Sequence, residues 1–364
     1  MKVLFAVTHL MGAGHLVRSL ALARAVNAAG GQALVLSGGR PLAHLDTAGV
    51  ELLQLPPLRA DGLNYRRLLD EGGEPVDEPW LARRRAAALG ALHAFAPDIL
   101  VTETWPFGRG SLGAEFAALV AAQRARGGRV FASIRDIPEP PSTERKRLRA
   151  ETALAGFDGV LVHGDARLGP FTRYWPLSGT AAGLLHHTGY VAEPLPEPIP
   201  TEEVLVAVGG GVIGRPLLQI AARAAALSSR PWRLLAGGAD AAAFGATLPG
   251  PALAEPARAD YRARLAGAAC SVSLAGYNTV ADLLQCATPA VLVPMAEGGE
   301  REQALRGQAL AGSGFAVLQI GALTPERLAA AVEDAIAAGP RHDGGIVLDG
   351  AAASARILLG PQTG

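Results

Sequence analysis

The sequence predicts an α/β protein built from two Rossmann-like domains. Three observations predict it. Short apolar runs alternate with longer helical patterns along the whole chain, as βαβ units do. The runs are continuous in apolar character, as strands covered on both faces are. A proline-rich stretch divides the pattern in two. The 364 residues are long for one domain and comfortable for two, and 49% hydrophobic content lets each half bury a core.

In the first half, strands are expected at 3–8 "VLFAVT", 33–37 "ALVLS", 98–102 "DILVT", 129–134 "RVFASI" and 159–163 "GVLVH". In the second half they are expected at 204–208 "VLVAV", 232–236 "WRLLA", 270–274 "CSVSL" and 290–293 "AVLV". Helical patterns cover 16–29, 113–126, 216–227 and 301–311. Residues 59–91 read as loop, then as a basic amphipathic segment. "GYVAEPLPEPIPTEE" at 189–203 holds four prolines, which forbid helix and interior strand. The expected domains are therefore 1–192 and 204–364, joined by a linker at 193–203. The last segment, "DGAAASARILLG", fits a short helix packing back across the junction. Two such domains put a ligand cleft between the C-terminal edges of facing sheets.

Lys+Arg and Asp+Glu balance at 33 each, so bulk attraction to nucleic acid is excluded, though a local basic patch is not. Lys2 and Lys146 are the only lysines. Two cysteines, Cys270 and Cys286, are too few for a disulfide framework and suit reduced thiols. No segment offers the ~18 uninterrupted apolar residues of a membrane span, and the N-terminal apolar run is too short for a signal peptide. A cytoplasmic protein is expected. Arginines at 83–85 and "ERKRLR" at 144–149 suit peripheral contact with anionic lipid or, more commonly, a solvated helix face.

Five stretches carry candidate chemistry. "HLMGAGHLVRSLALARAV" runs from a strand end into a helix; Gly12 and Gly14 allow a tight turn where backbone N–H groups approach a ligand. The helix start disfavours an imidazolium, so His15 there is either a neutral general base or a capping residue. Valine stands where a dinucleotide fingerprint needs its third glycine. Glu103, just past a strand, either supports His15 as the carboxylate of a triad does or is a solvated or capping residue. Arg135 and Asp136 follow a strand directly and either contact an acceptor or anion, or pair with each other. "AVGGGVIG" places Gly210 and Gly211 in an anion nest or a plain tight turn; no GK[ST] follows.

The fifth stretch is 270–310. "AGYNT" leads from a strand into a helix that starts near Asn278 or Thr279, both good N-cap types. Its free N–H groups suit a diphosphate, with Gly276 and Tyr277 in the turn. Asp282 either meets ribose hydroxyls or complements the helix dipole; Glu302 and Gln303 either read sugar hydroxyls or form a solvated helix start. No DxD-type carboxylate pair stands at a strand end.

On "GAGHLVRSLALARAV" and "SLAGYNTVADLLQCATPAVLVPMAEGGEREQ", the chain resembles the GT-B glycosyltransferases of the family that includes the peptidoglycan N-acetylglucosaminyl transferase. Through "ETWPFGR", "SIRDI", "HTGYV" and "AGYNT" it resembles most closely that family's predicted-glycosyltransferase branch. The resemblance implies a GT-B fold and an inverting, metal-independent transferase with no cofactor. It implies a nucleotide-sugar donor, UDP-linked, held mainly by the second domain. The diphosphate would sit near Gly276–Thr279, the ribose on Asp282 and the sugar near Glu302 and Gln303. His15 would act as base toward an acceptor that is a small molecule, a glycan or lipid-linked. The family usually has glutamate where this chain has Asp282, and its first loop is richer in glycine. The first loop also resembles that of the UDP-sugar hydrolase of pseudaminic acid synthesis, where the histidine activates water. A silent sugar-nucleotide-binding protein is the third reading.

Overall fold

In the computed structural model, residues 1–42, 45–62, 64–209, 213–238, 240–295, 301–342 and 344–360 are described. They form two compact units, Met1–Ala192 with Asp349–Gly364, and Glu193–Leu348. Relative to the boundaries read from the sequence, the proline-rich 193–203 lies with the second unit and the C-terminal helix with the first.

Among the described residues the first unit holds eight strands: β1 (Lys2–Val7), β2 (Gln32–Gly39), β3 (Glu51–Asp61), β4 (Asn64–Leu69), β5 (Ile99–Glu103), β6 (Arg129–Arg135), β7 (Gly159–His163) and β8 (Leu185–His187). Their order in the sheet is β4-β3-β2-β1-β5-β6-β7-β8, parallel throughout except for the antiparallel pair β3–β4. Side chains alternate along β1. Leu4 and Ala6 enter a core with Leu92, Phe116 and Leu119; Val3, Phe5 and Val7 enter another with Leu20, Val26 and Leu358. Both faces are thus covered, which is why the strands read as unbroken apolar runs.

Of the stretch 59–91, expected as loop and then as a basic amphipathic segment, the first part is instead the end of β3 and all of β4, and the amphipathic part lies in the helix Glu78–Phe95. Pro56 and Pro57 lie inside β3, where its register with β2 shifts between Ser37 and Gly39. That irregularity lets a strand hold two residues without N–H donors. Asp77 caps the helix, accepting from Trp80 N at 2.8 Å, with Glu78 and Pro79 in the first turn.

The second unit holds β9 (Val204–Ala207), β10 (Trp232–Ala236), β11 (Leu253–Pro256), β12 (Cys270–Ser273), β13 (Ala290–Leu292) and β14 (Ala316–Val317), in the order β11-β10-β9-β12-β13-β14 and parallel. Val204 and Val206 pack with Leu217, Leu218 and Ala221 of helix Arg215–Ala225 and with Leu328 and Val332 of helix Pro325–Ala338. Ile199 N and Thr201 N donate to Ala263 O and Gly267 O, which ties the proline-rich segment to this unit.

Cys270 and Cys286 are free thiols. Among the described residues, no helix is long and apolar enough to cross a membrane. Arg84 of the 83–85 cluster is fully buried against Glu115 at 2.8 Å, so it belongs to the core rather than to a basic surface.

Candidate active site

In the first sheet the strand order reverses between β1 and β5. An open parallel sheet parts its loops there, at the C-terminal strand ends, and leaves a crevice. His15 and Glu103 both arrive at that place. His15 is the second residue of the helix Gly14–Ala28 that follows β1, and Glu103 is the last residue of β5. His15 does not cap its helix: the N-cap is Ala13, with no side-chain cap bond. Its Nδ1 lies 2.9 Å from Glu103 Oε1 instead.

Glu103 is buried, not a solvated loop residue. Its carboxylate is enclosed by donors. Arg18 donates to Oε1, Ser133 Oγ donates to Oε2 at 2.5 Å, and Thr104 Oγ1 lies 3.3 Å from Oε1. Burial alone would raise the Glu103 carboxyl; Arg18, His15 and Ser133 together hold it well below the usual carboxylate range. Burial, reinforced by the Arg109 charge, pushes the His15 imidazole down to about 3. The imidazole is therefore neutral at neutral pH. An ionised carboxylate offers no proton, so the short contact is Nδ1–H donating to Oε1. Nε2 is then the basic nitrogen.

The loop after β5 is strained. Thr104 has φ 71° and Arg109 φ 59°, both non-glycine residues in the left-handed region. Thr104 is pinned by its N donating to Ser133 O at 2.8 Å and its O accepting from Gly108 N at 3.0 Å. Arg109 Nε donates to Thr8 O at 2.8 Å, at the end of β1. Burial, with Arg135 nearby, pulls the Arg109 guanidinium down to about 10. Arg135 ends β6 and is half-buried. Asp136 is an internal brace: it accepts from Ile137 N at 2.7 Å and from the Tyr190 hydroxyl at 2.8 Å.

In the second sheet the order reverses between β9 and β12. Gly210 and Gly211, which follow β9 in the sequence, lie outside the described residues. The loop after β12 leads into helix Tyr277–Leu283, whose N-cap is Gly276 and not Asn278 or Thr279. The reason is local: Gly276 holds the extended conformation of a cap (φ −69°, ψ 148°), and Tyr277, buried, already turns into the helix. No side chain caps this helix. A Cβ on Gly276 or on Gly12 would meet nothing within 4 Å, so packing within the chain does not demand glycine at either place.

The two candidate carboxylates of this unit, Asp282 and Glu302, are engaged. Asp282 is not in the first turn but near the end of its helix, where Oδ1 accepts from Arg262 Nε at 2.9 Å. Burial pushes its carboxyl up to about 6, against the pull of Arg262. Glu302 is buried, not a solvated helix start, and pairs with Arg306 at 2.7 Å. Arg306 is itself fully buried and donates Nη1 to Ala275 O at 2.8 Å, bracing the turn before Tyr277. Gln303 Oε1 accepts from Met295 N at 3.3 Å.

Sequence reading singled out neither Arg18, Ser133 and His163 around Glu103, nor Arg262 and Arg306 in the second unit. One signal existed: Ser133 and His163 are polar residues near the ends of otherwise apolar, buried strands.

Across the whole chain the structure is similar to MurG of Acinetobacter baumannii, at 14% identity over 99% of each chain with a TM-score of 0.62. It is similar to the glycosyltransferase VinC in complex with dTDP, at 15% identity over 99% of this chain and 94% of that one, TM-score 0.60. It is also similar to LpCGTa in complex with UDP, at 16% identity over 98% of this chain and 93% of that one, TM-score 0.61. The chain has the GT-B fold.

 No protein-family model matches the chain, and no curated protein does.

Proposed function

We propose that the protein is an inverting glycosyltransferase that uses a nucleoside-diphosphate sugar, UDP-linked in the first instance, with His15 as general base. The observation that carries this reading is the 2.9 Å contact of His15 Nδ1 with the buried Glu103 at the strand-order reversal of a GT-B unit. Nε2 takes the proton of an acceptor hydroxyl as its oxygen bonds to the anomeric carbon. The bond from that carbon to the diphosphate oxygen breaks on the opposite face, and the nucleoside diphosphate leaves with the electron pair. Glu103 steadies the imidazolium that forms.

We assign the donor to the second unit. Backbone N–H groups at Gly276–Thr279 receive the diphosphate, which the open space at Gly276 and the absence of a side-chain cap favour. Gly210 and Gly211 remain part of this proposal, as do Gly12 and Gly14 on the first unit. Asp282 meets the ribose, with Arg262 keeping its carboxylate charged. Gln303 reads the sugar, while Glu302 acts through Arg306 on the shape of the turn. Arg135 faces the acceptor, and Asp136 holds the strand end beneath it. The leaving charge is met by backbone dipoles, so chelators leave turnover unchanged on this reading.

The test has two stages. Thermal shift against UDP- and dTDP-sugars identifies the stabilising donor. Diphosphate release from that donor is then followed with a panel of hydroxyl acceptors, and with water alone. His15→Ala should cut acceptor-dependent release at least ~10²-fold while the donor-induced shift persists. Unchanged release in that variant removes His15 from the mechanism.

A further inference from the structure

Behind Glu103 a line of polar groups runs through the sheet interior across three neighbouring strands. Ser133 Oγ lies 2.9 Å from His163 Nε2, and His163 Nδ1 lies 3.0 Å from Thr188 Oγ1. Ser133, His163 and Thr188 are all buried. Because Glu103 is ionised, it only accepts, so the Ser133 hydroxyl donates to Oε2. That uses the one proton of Ser133, so its oxygen accepts from His163 Nε2–H. His163 Nδ1 is then bare and accepts from the Thr188 hydroxyl at 3.0 Å, the nearest of that hydroxyl's three acceptors; Val162 O and Gly189 O lie 3.3 and 3.2 Å away. The Ser133 and His163 donors both point toward Glu103.

The far end of the line faces a competition. His15 Nδ1 has Glu103 Oε1 at 2.9 Å, Arg18 Nη2 at 3.2 Å and Thr104 Oγ1, a hydroxyl that suits either state of Nδ1, at 3.2 Å. The carboxylate demands a proton on Nδ1; the guanidinium, a donor, favours a bare Nδ1 and hence a proton on Nε2. Only the first form leaves Nε2 basic. Arg18 also holds Oε1, so a carboxylate released from Ser133 can turn toward Arg18 and abandon the imidazole.

We propose that Ser133 and His163 are positioning residues for His15: the buried line Thr188–His163–Ser133–Glu103 decides which imidazole nitrogen of His15 carries the proton. Its catalytic consequence rests on the reading of His15 as base; its effect on the tautomer does not. Burial, with Arg18 adjacent, pushes the His163 imidazole down to about 3, which keeps it neutral and the direction of the line fixed.

The test uses the full chain with ¹⁵N-labelled histidine. Long-range ¹H–¹⁵N correlation spectra read the tautomer, and His15→Gln assigns the His15 signals. The parent protein should show His15 as Nδ1–H. Ser133→Ala and His163→Leu should shift it to Nε2–H or to a mixture, and Ser133→Thr and His163→Gln, which restore a hydroxyl or an N–H donor, should return it. Turnover in Ser133→Ala should fall at least ~10-fold with donor affinity unchanged, short of the ~10⁴-fold loss from a wholly wrong tautomer in a catalytic triad. Should His163→Leu fail to fold, the two Ser133 variants decide. His15 remaining Nδ1–H in Ser133→Ala overturns the proposal. A shifted tautomer alongside full activity in His15→Ala would instead leave the positioning intact and remove the catalytic reading.

Discussion

His15 and His163 are kept neutral inside the first unit, and that has a measurable cost in acid. Both imidazoles are pushed from an ordinary value of 6.5 to about 3. Below pH 6.5 the unfolded chain therefore binds protons that the folded chain refuses, and stability falls as the pH drops toward 3. At pH 5 the loss is about 2 kcal/mol for each histidine. Glu103 acts in the same direction, since its depressed value stabilises the fold above the ordinary carboxylate range and that contribution is lost in acid. Asp282 acts oppositely in the second unit: its value rises to about 6 from 3.8, so protonation between those pH values favours the fold. Urea unfolding of the first unit at pH 7 and pH 5 should show the drop, and His163→Gln should remove its share. A first unit equally stable at both pH values would contradict the neutral state of these side chains.

Elements carry the residues to their places, and the turn at Ala275–Tyr277 shows how closely one element depends on another. Helix Glu302–Leu310 contributes a buried Arg306–Glu302 pair, and Arg306 holds Ala275 O from there. Arg306→Leu leaves Glu302 buried without that partner and should cost about 3–5 kcal/mol in urea unfolding of the second unit. Arg306→Leu with Glu302→Leu should recover much of the loss, because no buried charge remains. The central strands of both sheets were legible in the sequence because burial on both faces writes an unbroken apolar run, even in strands as short as β9, β12 and β13. β8, β11 and β14 were not: none of their residues is fully buried, so no such run marks them. β3 was hidden by Pro56 and Pro57, and β4 by its exposed polar residues Asn64–Arg67. Glycines between a strand and a helix drew attention to His15, and a strand end drew it to Glu103. Ser133 and His163 stayed unread because what a strand-end side chain touches depends on which strands are neighbours, and the order β5-β6-β7 is a tertiary fact.

At the scale of the whole molecule, the first unit is discontinuous in sequence. Helix Gly350–Leu359 places Ala355 and Leu358 in the core formed by Leu16, Leu20 and Val26, and Arg129 Nη2 donates to Leu358 O at 2.6 Å. Burying one leucine side chain is worth about 1.5–3 kcal/mol. A chain ending at Leu348 should therefore lose several kcal/mol in its first unit and expose apolar surface there, while unfolding of the second unit changes little; separate urea transitions check this. The arrangement also orders events during synthesis. The amino-terminal unit begins to emerge first, yet its covering helix leaves the ribosome only after the entire second unit. A stop placed between the second unit and that helix thus releases a protein whose defect lies in the unit made first.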